Sequence, residues 1–393
     1  VLLPLALVFV ILATAGWMAR GAAEGKPDAY EAELLAWARA SAAGERLPDP
    51  ATASPADVAR FFEGLSPARR GELAADHSLV VGNLPGVPVS LRYLANRYAL
   101  ADARDAERAR MHDPRLSPAG QQEAGRRMHR YESMLTPGRQ ILAFDPTGRG
   151  RAAEVFGDLE TAERISLVVP GVDTNLLTFE RTNGRYTAPS GMAQALWEAE
   201  NEQLPPGEST AVIAWADYDT PVGIHMSAAT SGLAAAGAAR LARAVEGLPG
   251  SAPVALFCHS YGSVVCGIAA PDLPSRVTDI AVAGSPGMRA SDVTDLRTTA
   301  RVWALRAADD WIEDVPHLEL GPFGFGTDPV DPAFGARVLD AGETGGHSGY
   351  FEPGGLSLAA MAGIGAGRVD EEMCAPGVRS CASPGTCAPA VAA

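Results

Sequence analysis

The stretch Val254-Ala255-Leu256-Phe257-Cys258-His259-Ser260-Tyr261-Gly262-Ser263 is the part of the chain best suited to covalent chemistry. An apolar strand runs into a tight turn with a serine at its tip, and a helix of small residues follows. A nucleophile elbow requires this context, because a sharp turn lifts the hydroxyl clear of the sheet and small flanking residues let helix and strand pack closely. Gly262 is one such flank. Cys258 stands where glycine is usual and is small enough to be tolerated; it is expected to face the helix–strand packing as an inert buried thiol. A serine so placed attacks an acyl carbon when a histidine takes its proton and an acid orients that histidine.

Where an elbow follows a sheet strand, acid and histidine come later in the chain, in that order. Residues 301–305 read as a later strand and deliver Asp309 and Asp310 just beyond it; Asp310 is the expected acid and Asp309 the runner-up. Of the seven histidines, His317 and His347 follow them. His317 sits on what reads as the exit from the same loop. His347 lies between Gly346 and Ser348, after a candidate last strand at residues 337–339, where glycines let the backbone carry the imidazole over the sheet edge. His347 is therefore the expected base, and His259, beside the serine, is expected to pack. The negative oxygen of an acyl intermediate needs two backbone N–H donors. Tyr261, after the nucleophile, is one; Val172, in the loop Pro170-Gly171-Val172-Asp173 after the apolar run 165–169, is the other.

The elements that must position these groups follow from periodicity. Residues 27–135 read as a helical N-terminal region. Asp28 can cap its first helix, and Ser54-Pro55, Ser66-Pro67 and Ser117-Pro118 each place an N-cap before a proline at the first helical position. Residues 89–112 read as one long helix. From residue 136 to 365 short apolar runs alternate with helical stretches. Strands are expected at 140–144, 152–156, 165–169, 211–215, 254–257, 280–283, 302–305 and 337–339, with helices at 226–248 and 263–270. Strands alternating with helices predict an α/β fold, a mostly parallel central sheet with helices on both faces. Residues 366–393 form an Ala-, Gly-, Pro- and Cys-rich tail with little to bury.

Composition removes several function classes. The 393 residues carry a net charge of −15, the wrong sign for a nucleic-acid partner. Lys26 is the one lysine, so a P-loop, a pyridoxal Schiff base or a Ser–Lys dyad has no lysine in a suitable place. The five cysteines include no CxxC pair, which argues against structural zinc; neither metal nor cofactor is expected. The odd count leaves at least one thiol unpaired within the chain, and pairing among Cys374, Cys381 and Cys387 stays open. Residues 1–19 are uncharged and apolar, long enough to span a bilayer. They read as a signal peptide, with Ala13-Thr14-Ala15 before a cut at Gly16, or as a membrane anchor; either makes the protein secreted or membrane-anchored.

Taken together, these motifs resemble an α/β-hydrolase domain of unknown function found widely in actinobacteria. Val81-Gly82-Asn83-Leu84-Pro85-Gly86-Val87-Pro88 with Arg92 and Ala95-Asn96-Arg97 is similar to that family's N-terminal signature. Val169-Pro170-Gly171 resembles its oxyanion loop, and Ala214-Trp215 with Tyr218 and Pro221 its next strand end. His259-Ser260-Tyr261-Gly262-Ser263 matches its elbow, and Gly346-His347-Ser348 with Tyr350 its histidine loop. The resemblance spans residues 50 to 355. It implies an α/β-hydrolase fold and a triad of Ser260, Asp310 and His347, without naming a substrate. The expected function is a serine hydrolase of esterase or lipase type acting on a small-molecule or lipid ester. A non-catalytic binding protein on the same fold, or a peptidase, thioesterase or acyltransferase using the same triad, are the alternatives. Part of the helical N-terminal region is expected to border the active site.

Overall fold

A computed structural model describes residues 27–369, apart from 43, 224–231, 316–318 and 321–322. The apolar segment 1–19, the tail cysteines and His317 lie outside the described residues. Among those described, no helix is long and apolar enough to cross a membrane.

The N-terminal region is helical as expected. It comprises α1 (Ala29–Arg39), α2 (Pro55–Glu63), α3 (Pro67–Asp76), α4 (Ser78–Asn83), α5 (Val89–Arg110) and α6 (Pro118–Met134). Ser54, Ser66 and Ser117 each accept the backbone N–H three residues on, with proline following, and Asp28 forms a capping box with Glu31. These caps satisfy N–H groups that a helix cannot pair internally. Trp37, Val58, Phe62 and Leu73 give the region a small core of its own.

Eight strands form the central sheet: β1 (Gln140–Asp145), β2 (Arg151–Phe156), β3 (Arg164–Val169), β4 (Thr210–Ala216), β5 (Val254–His259), β6 (Val277–Ala283), β7 (Arg301–Leu305) and β8 (Arg337–Leu339). Their spatial order is β8-β7-β6-β5-β3-β4-β2-β1. From β4 to β8 every pairing is parallel, whereas β2 runs antiparallel to both β4 and β1. Along β3, Ile165, Leu167 and Val169 face one layer and Val168 the other; Leu256 and Cys258 of β5 alternate with Ala255 and Phe257. Burial on both faces explains why these strands read as continuous apolar runs. One layer holds α8 (Gly232–Glu246) and α9 (Gly262–Ala269). The other holds two helices absent from the sequence reading, α7 (Pro189–Gln203) and α10 (Leu356–Gly365).

The chain passes from β3 to β4 on one side and returns to β5 on the other. In an open parallel sheet that reversal leaves a crevice beyond the carboxyl ends of the two diverging strands. Ser260 follows β5, and Pro170-Gly171-Val172 follows β3.

Candidate active site

Ser260 has φ 54°, in the left-handed region that a non-glycine residue enters only when its surroundings hold it there. Its N–H donates to the Ala283 carbonyl (3.0 Å), and its carbonyl accepts from the Ser263 N–H (2.9 Å) and hydroxyl (2.7 Å). The close approach expected around the elbow is present. A Cβ on Gly262 would lie 2.3 Å from the Val169 carbonyl oxygen, and one on Gly171 would lie 2.7 Å from the Ser260 Cβ. Cys258 is not the inert thiol expected; it is disulfide-bonded to Cys266 of α9, with Cα atoms 6.5 Å apart. The reason is geometric: the tight turn folds the second turn of α9 back over the end of β5. The bond ties that helix to the strand carrying the serine.

The three residues expected to act together do meet, although the segments bearing them are far apart in sequence. His347 Nε2 lies 2.8 Å from Ser260 Oγ, and His347 Nδ1 lies 2.9 and 3.0 Å from the two oxygens of Asp310. Asp310 is buried, and its carboxylate also accepts from the Tyr350 hydroxyl (2.6 Å) and the Ile312 N–H (2.9 Å). Burial by itself would raise its pKa; the hydrogen bonds from His347, Tyr350 and Ile312 outweigh that and hold it below the ordinary value. Tyr350 is shifted the opposite way, its hydroxyl held protonated by burial and by the neighbouring carboxylate. Asp309 points elsewhere. It accepts the N–H groups of Thr344 (3.1 Å) and Gly346 (2.8 Å), and so clamps the loop that carries His347.

His259 does more than pack. Its Nε2 lies 2.7 Å from the His347 carbonyl oxygen, which can only accept, so this nitrogen carries the proton. The two rings stand 5.0 Å apart, and the Tyr350 ring lies 5.7 Å from that of His259. Burial, then the nearby His347, lowers the His259 pKa from 6.5 to about 4. The folded state therefore resists a proton that the unfolded chain accepts below about pH 6.5. Stability present above that value is lost as pH falls toward the folded pKa, by up to about 3 kcal/mol. His259→Asn is expected to flatten the fall in melting temperature between neutral pH and the folded pKa. A thermal-unfolding series across that range checks it, and an unchanged slope would assign the acid sensitivity to Asp310 or other carboxylates.

The loop after β3 is pinned on both sides of Val172. The Asp173 N–H donates to the Pro221 carbonyl (2.9 Å), the Thr174 hydroxyl to the Gly171 carbonyl (3.0 Å), and the Tyr218 hydroxyl to the Pro170 carbonyl. Tyr218 and Pro221, conspicuous in the sequence only by resemblance, thus hold this loop. Among the described residues no acceptor takes the Val172 N–H. Tyr261 opens α9 directly after the serine, where backbone N–H groups carry partial positive charge. The site can therefore offer a nucleophile, a base, an orienting acid and backbone donors within one crevice. No group of three metal-ligating side chains occurs among the described residues.

Among the described residues, no hydrogen bond or ring contact joins residues 80–97 to Ser260, Asp310 or His347. Asn83 and Asn96 instead bind the backbone of β1, at the opposite edge of the sheet from β8. The ring centroid of Trp311, which is 43% exposed, is 4.6 Å from that of His347.

Two uncharacterized proteins of Mycobacterium tuberculosis, from strains CDC 1551 and H37Rv, are each 28% identical to this chain over 390 residues. The match covers 83% of this chain, which spans 57% of the length of those curated relatives. Solved structures similar to this chain include a dienelactone hydrolase from Anabaena variabilis (17% identity, TM-score 0.36, 58% of this chain and 96% of that one). Est1E from Butyrivibrio proteoclasticus is another (12%, TM-score 0.35, 58% and 97%). A family model described as alpha/beta hydrolase matches residues 145–320, which include Ser260 and Asp310. With this match, the strand order and the serine held at positive φ after β5, the chain has the α/β-hydrolase fold.

Proposed function

We propose that this protein is a serine hydrolase that cleaves an acyl ester through an acyl-enzyme. The observation that carries the reading is the unbroken hydrogen-bonded chain from Ser260 through His347 to Asp310, with the serine at the tip of a strained turn. Ser260 Oγ attacks the acyl carbon while His347 Nε2 takes its proton. The carbonyl becomes an oxyanion beside the Val172 and Tyr261 N–H groups. When the tetrahedral intermediate collapses, the C–O bond to the alcohol breaks and His347 returns the proton to that oxygen. Water then attacks the acyl-serine with His347 again as base, and the carboxylic acid leaves with Ser260 restored. Asp310, ionised and buried, orients the imidazole and stabilises its charged form. Trp311 offers an apolar wall beside the base, which suits a hydrophobic group on a small-molecule or lipid ester.

The same groups serve thioester or peptide cleavage, and comparing turnover of matched ester, thioester and amide substrates ranks these chemistries. Treating the folded protein with a fluorophosphonate probe tests the reading itself. A single adduct at Ser260, found by peptide mass spectrometry and lost in His347→Ala, is the expected result. A folded sample that stays unlabelled at Ser260 would leave a binding protein on a hydrolase scaffold.

A further inference from the structure

The signature around residues 81–97 takes no part in the site just described, yet it builds a second feature. Asn83, Leu84, Pro85 and Arg92 line a cavity of about 230 Å³ between the N-terminal helices, α8 and the β1–β2–β4–β3 end of the sheet. At roughly 30 Å³ per water in the liquid, it has room for a small organic molecule. Its floor is apolar, made by Leu142, Ala143, Ala153, Leu167 and Ile213. Ala143 and Ala153 are direct partners across β1 and β2, so two small side chains face each other and leave the space. None of the residues that hydrogen-bond to Ser260, Asp310 or His347 lines it.

The charge in its wall is unbalanced. Four charged residues line the cavity: Arg92, Asp217, Arg240 and Arg243. Asp217 is taken by Arg240, with Nη2 to Oδ1 at 2.6 Å. Arg243 gives its terminal nitrogens to the carbonyls of Pro50, Ala51 and Ala53. Arg92 is only 5% exposed, and its Nε donates to the Gly82 carbonyl at 3.2 Å. Among the described residues no acceptor meets its two terminal nitrogens. Burial lowers its pKa to about 10, which leaves it charged at neutral pH. Its terminal nitrogens border the cavity, and the one carboxylate in the wall that acts on Arg92, Asp217, is already bonded to Arg240, so an enclosed cation with free donors is left to favour an anionic ligand.

We propose that this cavity binds a small organic carboxylate, its two oxygens on the free fork of Arg92 and its apolar body on the alanine-rich floor. A planar guanidinium with two parallel donors matches a carboxylate. One guanidinium with free donors beside a hydrocarbon surface fits a monoanion with an apolar tail better than a phosphate dianion. The site is distinct from the serine and goes beyond the hydrolase reading.

Thermal unfolding of the full chain, titrated with hexanoate, hexanol and inorganic phosphate, tests this. Hexanoate is expected to raise the melting temperature saturably, by roughly 2–4 °C. Hexanol and phosphate at equal concentration should not. Arg92→Met is expected to abolish the shift while leaving the unliganded melting temperature unchanged or higher, because it removes an uncompensated charge. Ala153→Leu, which fills the floor and keeps Arg92, should abolish it too and decides the matter if Arg92→Met fails to fold. Ser260→Ala should keep the full shift, whether or not the protein proves to be a hydrolase. No response to hexanoate, an equal response to hexanol or phosphate, survival of the shift in both cavity variants, or its loss in Ser260→Ala would each overturn the proposal.

Discussion

Ser260→Ala is expected to lower kcat/KM for a p-nitrophenyl ester by about 10⁴-fold or more while leaving the fold intact. The size of the effect follows from what the side chain alone supplies. The hydrogen bonds that hold the turn run through the backbone of Ser260, from its N–H to Ala283 and from Ser263 to its carbonyl. Alanine keeps those bonds and loses only the Oγ contact to His347 Nε2. The melting temperature should therefore move little, since one hydrogen bond is worth about 1 kcal/mol net. Any residual turnover would come from the backbone donors at Val172 and Tyr261 acting on a water-mediated reaction. His347→Ala should cost as much, and the double variant little more, because nucleophile and base act as one unit. Steady-state hydrolysis by the four proteins checks this, and a Ser260→Ala enzyme that turns over like the wild type would remove the serine-hydrolase reading.

Much of this arrangement is legible in the amino-acid order because each part has a local cause. β3 and β5 read as strands since both of their faces are buried. Ser260 stands out because a strand, a tight turn and a small-residue helix occur in ten consecutive positions. Asp310 and His347 follow from chain order and from the turns that carry them. Two helices escaped for equally physical reasons. α10 is apolar all round and contains two glycines within it, Gly363 and Gly365, so no amphipathic stripe marks it. α7 buries Ala193 and Ala195, and alanine contributes little to an apolar pattern. Nor does local sequence reveal the bond from His259 to the carbonyl of His347, 88 residues on, or the bond of Tyr350 to Asp310, 40 residues back. Those roles exist only once the loops beyond β5, β7 and β8 converge. The Cys258–Cys266 bond is intermediate: the spacing is local, but the pairing depends on how sharply the elbow turns. Helical periodicity says which residues of the N-terminal region are buried and not what covers them, so the bonds of Asn83 and Asn96 to β1 are not legible in it.

That convergence also separates two adjacent acids which the sequence left as alternatives. Asp310→Asn is expected to lower kcat by about 10⁴-fold, whereas Asp309→Asn should cost less than about tenfold. The carboxylate of Asp310 receives a proton-bearing Nδ1, and that bond fixes the tautomer leaving Nε2 free to accept from Ser260. An asparagine there can turn its amide N–H toward Nδ1 and favour the tautomer with the proton on Nε2, which cannot act as base. The Tyr350 hydroxyl reinforces the penalty, because it donates to Oδ2 and would still demand an acceptor at that position. Among the described residues Asp309 bonds the histidine loop, through the N–H groups of Thr344 and Gly346 and the Thr344 hydroxyl. Its asparagine variant keeps one acceptor oxygen, so the loop loosens without changing the chemistry of the imidazole. A KM that rises while kcat falls only slightly would be the mark of such loosening. The pH profile adds a second readout. Because hydrogen bonds hold Asp310 below its ordinary pKa, it remains ionised where the acidic limb of the rate profile is expected to lie. Asp309→Asn should therefore leave the position of that limb unchanged, while the small activity of Asp310→Asn should follow a shifted one, since the imidazolium has lost its counter-ion. The reverse ranking, with Asp309→Asn the more damaging, would show that the acid orienting His347 in the working enzyme is not the one it meets at 2.9 Å here.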